Sequence, residues 1–209
     1  MTREFDKDHW ESHWRQAEVH ASGSALDPNP HLVHELRGLP PGTALDAGCG
    51  EGSEARWLAA EGWSVTAVDI SAEALARAAE RAQGETEGGH LRWVEADLTS
   101  WEPDAPFDLV TTLYAHPTTA QLAFYERLAG WVAPGGTLLI VGHLRSAGSA
   151  GHGQARPEQV TITAASVAAL LDRGEWDIVT AEDTVRTVAV GTEQATQLDD
   201  VVERAARCR

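Results

Sequence analysis

Residues 43–52 read Thr-Ala-Leu-Asp-Ala-Gly-Cys-Gly-Glu-Gly, and residues 64–71 read Ser-Val-Thr-Ala-Val-Asp-Ile-Ser. In the first stretch, Thr43–Asp46 leads as a strand into a glycine-rich turn, Gly48–Gly52, and Glu54–Glu61 continues as a helix. Glycines let the backbone turn sharply and approach a ligand with no Cβ in the way, and the helix that follows offers free N–H groups. In the second stretch, 64–70 reads as a buried strand ending on Asp69, with Ser71 as N-cap of a helix over 71–83 whose Leu75, Ala78, Ala79 and Ala82 share one face. A strand, glycine turn and helix in that order is a pattern that several nucleotide-binding families share.

The alternation continues outward. His90–Glu95 and Phe107–Leu113 read as strands, Thr118–Val132 as a helix closed by Pro134-Gly135-Gly136, and Thr137–Gly142 as an apolar strand for the sheet centre. Such spacing demands right-handed crossovers and a doubly wound parallel sheet covered on both faces, with ligands at the carboxyl ends of its strands. Beyond residue 143 the pattern changes. Residues 144–158 read as a loop, Thr163–Asp172 as a helix, and Glu175–Glu182 and Thr184–Val190 as strands; Leu198–Ala206 has helical spacing taken alone. One domain over 1–209, opened by a segment of about 40 residues, is the simplest organisation.

Composition bounds the partners. The chain has 209 residues, 32 acidic and 16 basic side chains and a formal charge of -16, which argues against nucleic-acid phosphates and anionic membranes as partners. The two cysteines, Cys49 and Cys208, form neither a disulfide framework nor a metal pair and suit a reducing compartment. The opening MTREFDKDHW lacks an apolar stretch and no apolar run nears 18 residues, so a cytoplasmic protein is expected. His9 with His13, and His31 with His34, have helical spacing but no completing ligands, so no metal is expected.

Two details sharpen the turn. Its spacing is G-x-G-x-G, and position 53, where a dinucleotide-binding fingerprint has its third glycine, is Ser53. Asp69 is placed to hold ribose hydroxyls, and Asp97, in Glu95-Ala96-Asp97-Leu98, suits an adenine amino group as acceptor.

With these motifs in order over roughly residues 40–143, the sequence resembles the class I S-adenosylmethionine-dependent methyltransferases. ALDAGCGEG is similar to the family's first motif, VDIS to its ribose-binding acid, EADL to its adenine-binding acid, and FDLVTTL and APGGTLLIVG to its fourth and fifth strands. The resemblance implies a Rossmann-like seven-stranded sheet with the last strand antiparallel, which makes 197–207 the final strand against its local helical spacing. It implies S-adenosylmethionine as cofactor, yielding S-adenosylhomocysteine. Asp46, Gly48, Cys49, Gly50 and Gly52 would hold the methionine moiety, Asp69 the ribose, and Asp97 and Leu98 the adenine. Ile70 would pack on the ring, and Leu113 would be a further cofactor-binding residue.

The N-terminal Trp10 and Trp14 lie on one helix face and are similar to the W-x-x-x-W segment of the thiopurine and tellurite-resistance-like methyltransferases. That implies a helical cap over 1–40, with Trp14 at the cofactor and Trp10 at the substrate, where an aromatic face suits a sulfonium. The loop after the fourth strand reads Tyr114-Ala115-His116-Pro117, without the carboxylates of a metal-dependent catechol-type enzyme. Tyr114, His116, His143 and Arg145 are the candidate substrate contacts, with His116 and His143 the candidate general bases. The 144–158 loop is expected near the substrate. The reading is a methyltransferase acting on a small molecule; an NAD(P)-dependent oxidoreductase and a non-catalytic S-adenosylmethionine-binding protein are the alternatives.

Overall fold

The computed structural model describes residues 5–16, 27–83, 90–144, 162–190 and 194–209. In chain order the elements are α1 (Lys7–Gln16), α2 (Pro30–Glu35), β1 (Thr43–Ala47), α3 (Ser53–Ala60), β2 (Ser64–Asp69), α4 (Ala72–Arg81), β3 (Leu91–Glu95), β4 (Phe107–Leu113), α5 (Gln121–Gly130), β5 (Val132–His143), α6 (Ala164–Ala168), β6 (Trp176–Val190) and β7 (Gln194–Arg207). The seven strands form one sheet in the order β3-β2-β1-β4-β5-β7-β6. The first five run parallel, and β7 pairs antiparallel with both β5 and β6.

Strand parity divides the core. Ala44, Val65, Ala67, Leu109, Leu139 and Val141 face Leu32 and Leu36 around α2, Ala55 and Leu58 of α3, and Leu75 of α4. Their neighbours Leu45, Val68, Val110, Leu138 and Ile140 face Phe124 and Leu128 of α5 and Val167 of α6. Near-continuous apolar runs in β1, β2, β4 and β5 follow from burial on both faces.

The chain reverses direction across the sheet between β1 and β4, the switch point at which such sheets bind ligands. Both ends of that pair are pinned. At the amino end, Asp108 accepts the Thr43 N–H and hydroxyl at 2.8 and 2.9 Å. At the carboxyl end, the buried Thr112 hydroxyl donates to the Ala47 carbonyl at 2.8 Å.

Two readings differ from the sequence expectation, and a third settles a conflict within it. Pro134-Gly135-Gly136 lies inside β5, where the register jumps from Phe107↔Val132 to Leu109↔Thr137. The proline has no N–H to pair and is accommodated at this irregularity, while the preceding helix already ends at Gly130. The two strands expected at 175–182 and 184–190 are one, β6, kinked by a register shift between Ile178 and Thr180. Residues 198–206 are strand, as the family resemblance implied. Their helical spacing arises because β7 is buried on both faces, so Asp200, Val201, Val202 and Glu203 are all enclosed and no polar–apolar alternation shows. No described helix is long and apolar enough to cross a membrane.

Candidate functional site

At the carboxyl end of β1 the backbone is satisfied by its neighbours. Gly48 and Cys49 donate to the Val68 carbonyl at 2.8 and 3.1 Å. Gly48 stands at φ +81°, where a Cβ would come within 2.6 Å of the Ala115 Cβ. Gly52 stands at φ +78°, where a Cβ would lie 2.4 Å from the Trp93 ring. Only glycine meets both demands, left-handed backbone and no side-chain volume.

Asp69 ends β2 and folds back onto the turn: Oδ2 accepts the Gly50 N–H and Oδ1 the Ser71 N–H, each at 2.9 Å. Burial pushes its carboxyl up, against the pull of these backbone bonds. Asp97 closes its own turn by accepting the Thr99 N–H at 2.9 Å and the Thr99 hydroxyl at 2.6 Å. Both carboxylates line one cavity of about 360 Å³, with Gly48–Glu54, Ile70, Leu98 and Leu113. This volume is within the ordinary range of small-molecule sites.

The other wall is aromatic. Trp10 and Trp14 of α1 line the cavity together with Phe5, Tyr114 and His116. The Trp10 and His116 rings are within 6° of parallel with centroids 6.5 Å apart, and Phe5 is 5.3 Å from His116. A Cβ on Gly50 would meet Trp14 at 3.2 Å, so this indole sits directly over the turn. Tyr114 takes φ +54°, a conformation that a bulky side chain rarely adopts. Its hydroxyl accepts from Arg186 Nη2 at 2.9 Å and Asn29 Nδ2 at 3.4 Å. The Arg186 guanidinium also lies 5.5 Å from the Tyr114 ring and donates to the fully buried Asp200 at 2.5 Å. Burial pushes the Tyr114 phenol up to about 12.

Of the residues singled out in the sequence, Trp10, Trp14, Gly48, Cys49, Gly50, Gly52, Asp69, Ile70, Asp97, Leu98, Leu113, Tyr114 and His116 therefore share the cavity. Two do not. Asp46 is buried behind the turn, its Oδ2 without a hydrogen-bond partner, and burial beside Glu54 and Asp69 pushes its carboxyl well up. His143 is one layer back, its ring 5.8 Å from His116 and 4.6 Å from Tyr114. Burial likewise pushes the Cys49 thiol well up, away from thiolate chemistry. Arg145, most of the 144–158 loop and residues 1–4 and 17–26 of the N-terminal segment lie outside the described residues.

Sequence reasoning missed Phe5, Glu54, Asn29 and the Arg186–Asp200 pair. Glu54, on the first turn of α3, accepts the Asn29 N–H at 3.0 Å. Its acidic place in a helix's first turn was a usable signal. Arg186 and Asp200 come from the far edge of the sheet, and nothing local marks them.

The cavity fits S-adenosylmethionine by its donor set: two carboxylates for hydroxyl and amino donors, a bend whose close contacts admit no Cβ, and aromatic rings for a sulfonium. Among the described residues no group of three or more His, Cys, Asp or Glu is arranged to hold a metal ion.

Comparison with known proteins agrees. Residues 44–136 match the methyltransferase domain model. The chain is 42% identical over 107 residues to an uncharacterized methyltransferase of Mycobacterium bovis, covering 49% of this chain and 52% of that protein. It is 39% identical over 122 residues to the trans-aconitate 2-methyltransferase of Streptomyces avermitilis, covering 53% and 43%. The chain spans about half the length of the curated relatives it matches. The fold is that of N-methyltransferase NodS from Bradyrhizobium japonicum WM9 in complex with S-adenosylhomocysteine, with TM-score 0.66, 19% identity, and coverage of 94% of this chain and 97% of that one. With residues 44–136 matching a methyltransferase domain, its motifs in the family's order and its sheet in the family's topology, the chain is similar to the class I S-adenosylmethionine-dependent methyltransferases.

Proposed function

We propose that this protein transfers a methyl group from S-adenosylmethionine to a small-molecule acceptor by in-line displacement. The observation that carries the reading is the meeting of Asp69, Asp97 and the glycine bend on one cavity at the sheet's switch point. The cofactor supplies a methyl group on a positively charged sulfur, an activated donor. The chain's own task is to hold the reacting groups in line and keep water out, which is worth roughly 7–11 kcal/mol in favourable cases.

In this reading the Gly48–Gly52 backbone, with Asp46 beneath it, holds the methionine moiety. Asp69 accepts from the ribose hydroxyls, and Asp97, Leu98 and Ile70 hold the adenine. The helix α1 caps the site through Trp10 and Trp14. His116, on the cavity wall, takes the acceptor's proton, and His143 supports its ring from behind. Tyr114 stays protonated through the physiological range and shapes the wall. A cytoplasmic location fits the acidic chain and its two unpaired cysteines. The trans-aconitate relative supports a small-molecule acceptor.

Methyl-tritiated S-adenosylmethionine incubated with a panel of small thiols, phenols, amines and carboxylic acids tests this. Label in an extractable product from one class is the expected result. Binding of NAD(H) with no binding of S-adenosylmethionine would overturn the reading.

A further inference from the structure

Glu11 sits on α1 between the two tryptophans that line the cavity, yet it is buried, only 8% exposed, and is not part of the cavity wall. A carboxylate loses much solvation on burial and needs a strong partner. Glu11 finds one outside its own helix. Its Oε1 accepts the Ala72 N–H at 2.7 Å, the first N–H of the ten-residue α4. That donor has no partner within its helix and sits at the positive end of the helix dipole. Ser71 caps the same turn two residues on, accepting the Ala74 N–H at 3.2 Å. Arg15, one turn along α1, lies 3.6 Å from Glu11 Oε2.

This anchor adjoins the ribose corner. Asp69 holds the Ser71 N–H and the Gly50 N–H, so Glu11 and Asp69 together clasp consecutive amides at the entry to α4. A second polar fastening of α1 among the described residues, the Lys7–Glu95 pair, is about half exposed on both sides and of the kind that contributes little. Trp14, one turn from Glu11, lies over Gly50.

Building on the methyltransferase reading, we propose that Glu11 is a positioning residue for the cofactor: by fastening α1 to the first turn of α4 it holds Trp10 and Trp14 over the cavity and so sets how long the cofactor stays bound. The coupling is reciprocal, so a bound cofactor also steadies α1.

The test uses the full chain as wild type, Glu11→Ala and Glu11→Gln. S-adenosylhomocysteine binding is measured by calorimetry and stopped-flow tryptophan fluorescence, and amide hydrogen exchange is followed over residues 7–16. For Glu11→Ala we expect roughly tenfold weaker binding, carried by a faster off-rate, with an unchanged melting temperature for the remainder of the fold. Protection over 7–16 falls in the unliganded variant. Glu11→Gln keeps a carbonyl acceptor and stays within about threefold of wild type. Wild-type affinity, off-rate and protection in Glu11→Ala would overturn the proposal. Failure of the wild type to bind S-adenosylhomocysteine, with protection over 7–16 still lost in Glu11→Ala, would instead remove the methyltransferase reading and support the fastening of α1 on the exchange data alone.

Discussion

The two walls of the cavity are built by different means. The cofactor wall, from β1 to the end of β3, is mostly backbone: a left-handed bend, two carboxylates at strand ends, and amides bonded to carbonyls of the next strand. The opposite wall is side chains drawn from remote parts of the chain. Phe5 and α1 supply rings, the end of β4 supplies Tyr114 and His116, and the β6–β7 edge supplies the Arg186–Asp200 pair behind them. The first wall tolerates little change because backbone geometry has few solutions. The second, on the proposed reading, faces the acceptor, and its side chains come from separate elements that can change without disturbing the bend. The domain match, residues 44–136, spans the first wall and leaves out α1, Asn29, Arg186 and Asp200.

The contrast makes separable predictions. The largest effect belongs to the bend. Gly52→Val places a β-branched residue at φ +78° with its Cβ against Trp93, and it should abolish S-adenosylhomocysteine binding and cost roughly 3 kcal/mol or more in stability. Calorimetry and thermal unfolding read both losses; a Gly52→Val protein that binds normally would break the claim that this wall is fixed by backbone.

Second comes Arg186→Met. Removing the guanidinium leaves the buried Asp200 with His31, 3.4 Å away, in place of a directly donating arginine, and should lower stability by about 3 kcal/mol. Affinity for S-adenosylhomocysteine should stay within about twofold, because the residue serves the other wall. Replacing Asp200 by Asn as well should recover part of the loss, and urea titration of the four proteins closes the cycle.

Third is a pH effect. Glu203 is fully enclosed, neither carboxylate oxygen has a hydrogen-bond partner, and burial pushes its carboxyl up to about 8. The folded state therefore binds a proton that the unfolded state releases near pH 4.5, so this group's contribution to stability falls as pH rises from there to about 8 and levels above it. Glu203→Gln should flatten that slope and stabilise the protein at pH 8 by on the order of 2 kcal/mol, with cofactor affinity unmoved.

The smallest effect is a rate difference between thiols. Cys208 is exposed and should react with a disulfide reagent well before Cys49, which is buried with its thiol pushed up; a bound cofactor should slow Cys49 further.

The same contrast explains what the sequence disclosed. The first wall was legible because its constraints are local. A bend with Gly48 and Gly52 at positive φ has to be spelled in glycine, and an acid at a strand's carboxyl end stands at a fixed distance along the chain. The sheet's parallel half was legible for the same reason, since its strands are apolar runs between turns. The final strand was not: Asp200 and Glu203 put carboxylates where a buried strand ordinarily carries apolar residues, and only the family resemblance corrected the helical spacing. The family resemblance gives Asp46 to the methionine moiety, yet its side chain is enclosed behind the bend and does not line the cavity. Phe5, Glu11, Asn29 and Arg186 act through tertiary contact across 61 to 85 residues of sequence in the cases of Glu11 with Ala72 and Asn29 with Tyr114, and no local pattern encodes that.

Calorimetric titration of S-adenosylhomocysteine into the wild type and Asp69→Ala tests the central claim most directly. The account predicts saturable one-to-one binding to the wild type and a loss of roughly 100-fold in the variant, whose fold is retained. Absence of heat with the wild type, or equal affinity in the two proteins, would contradict it.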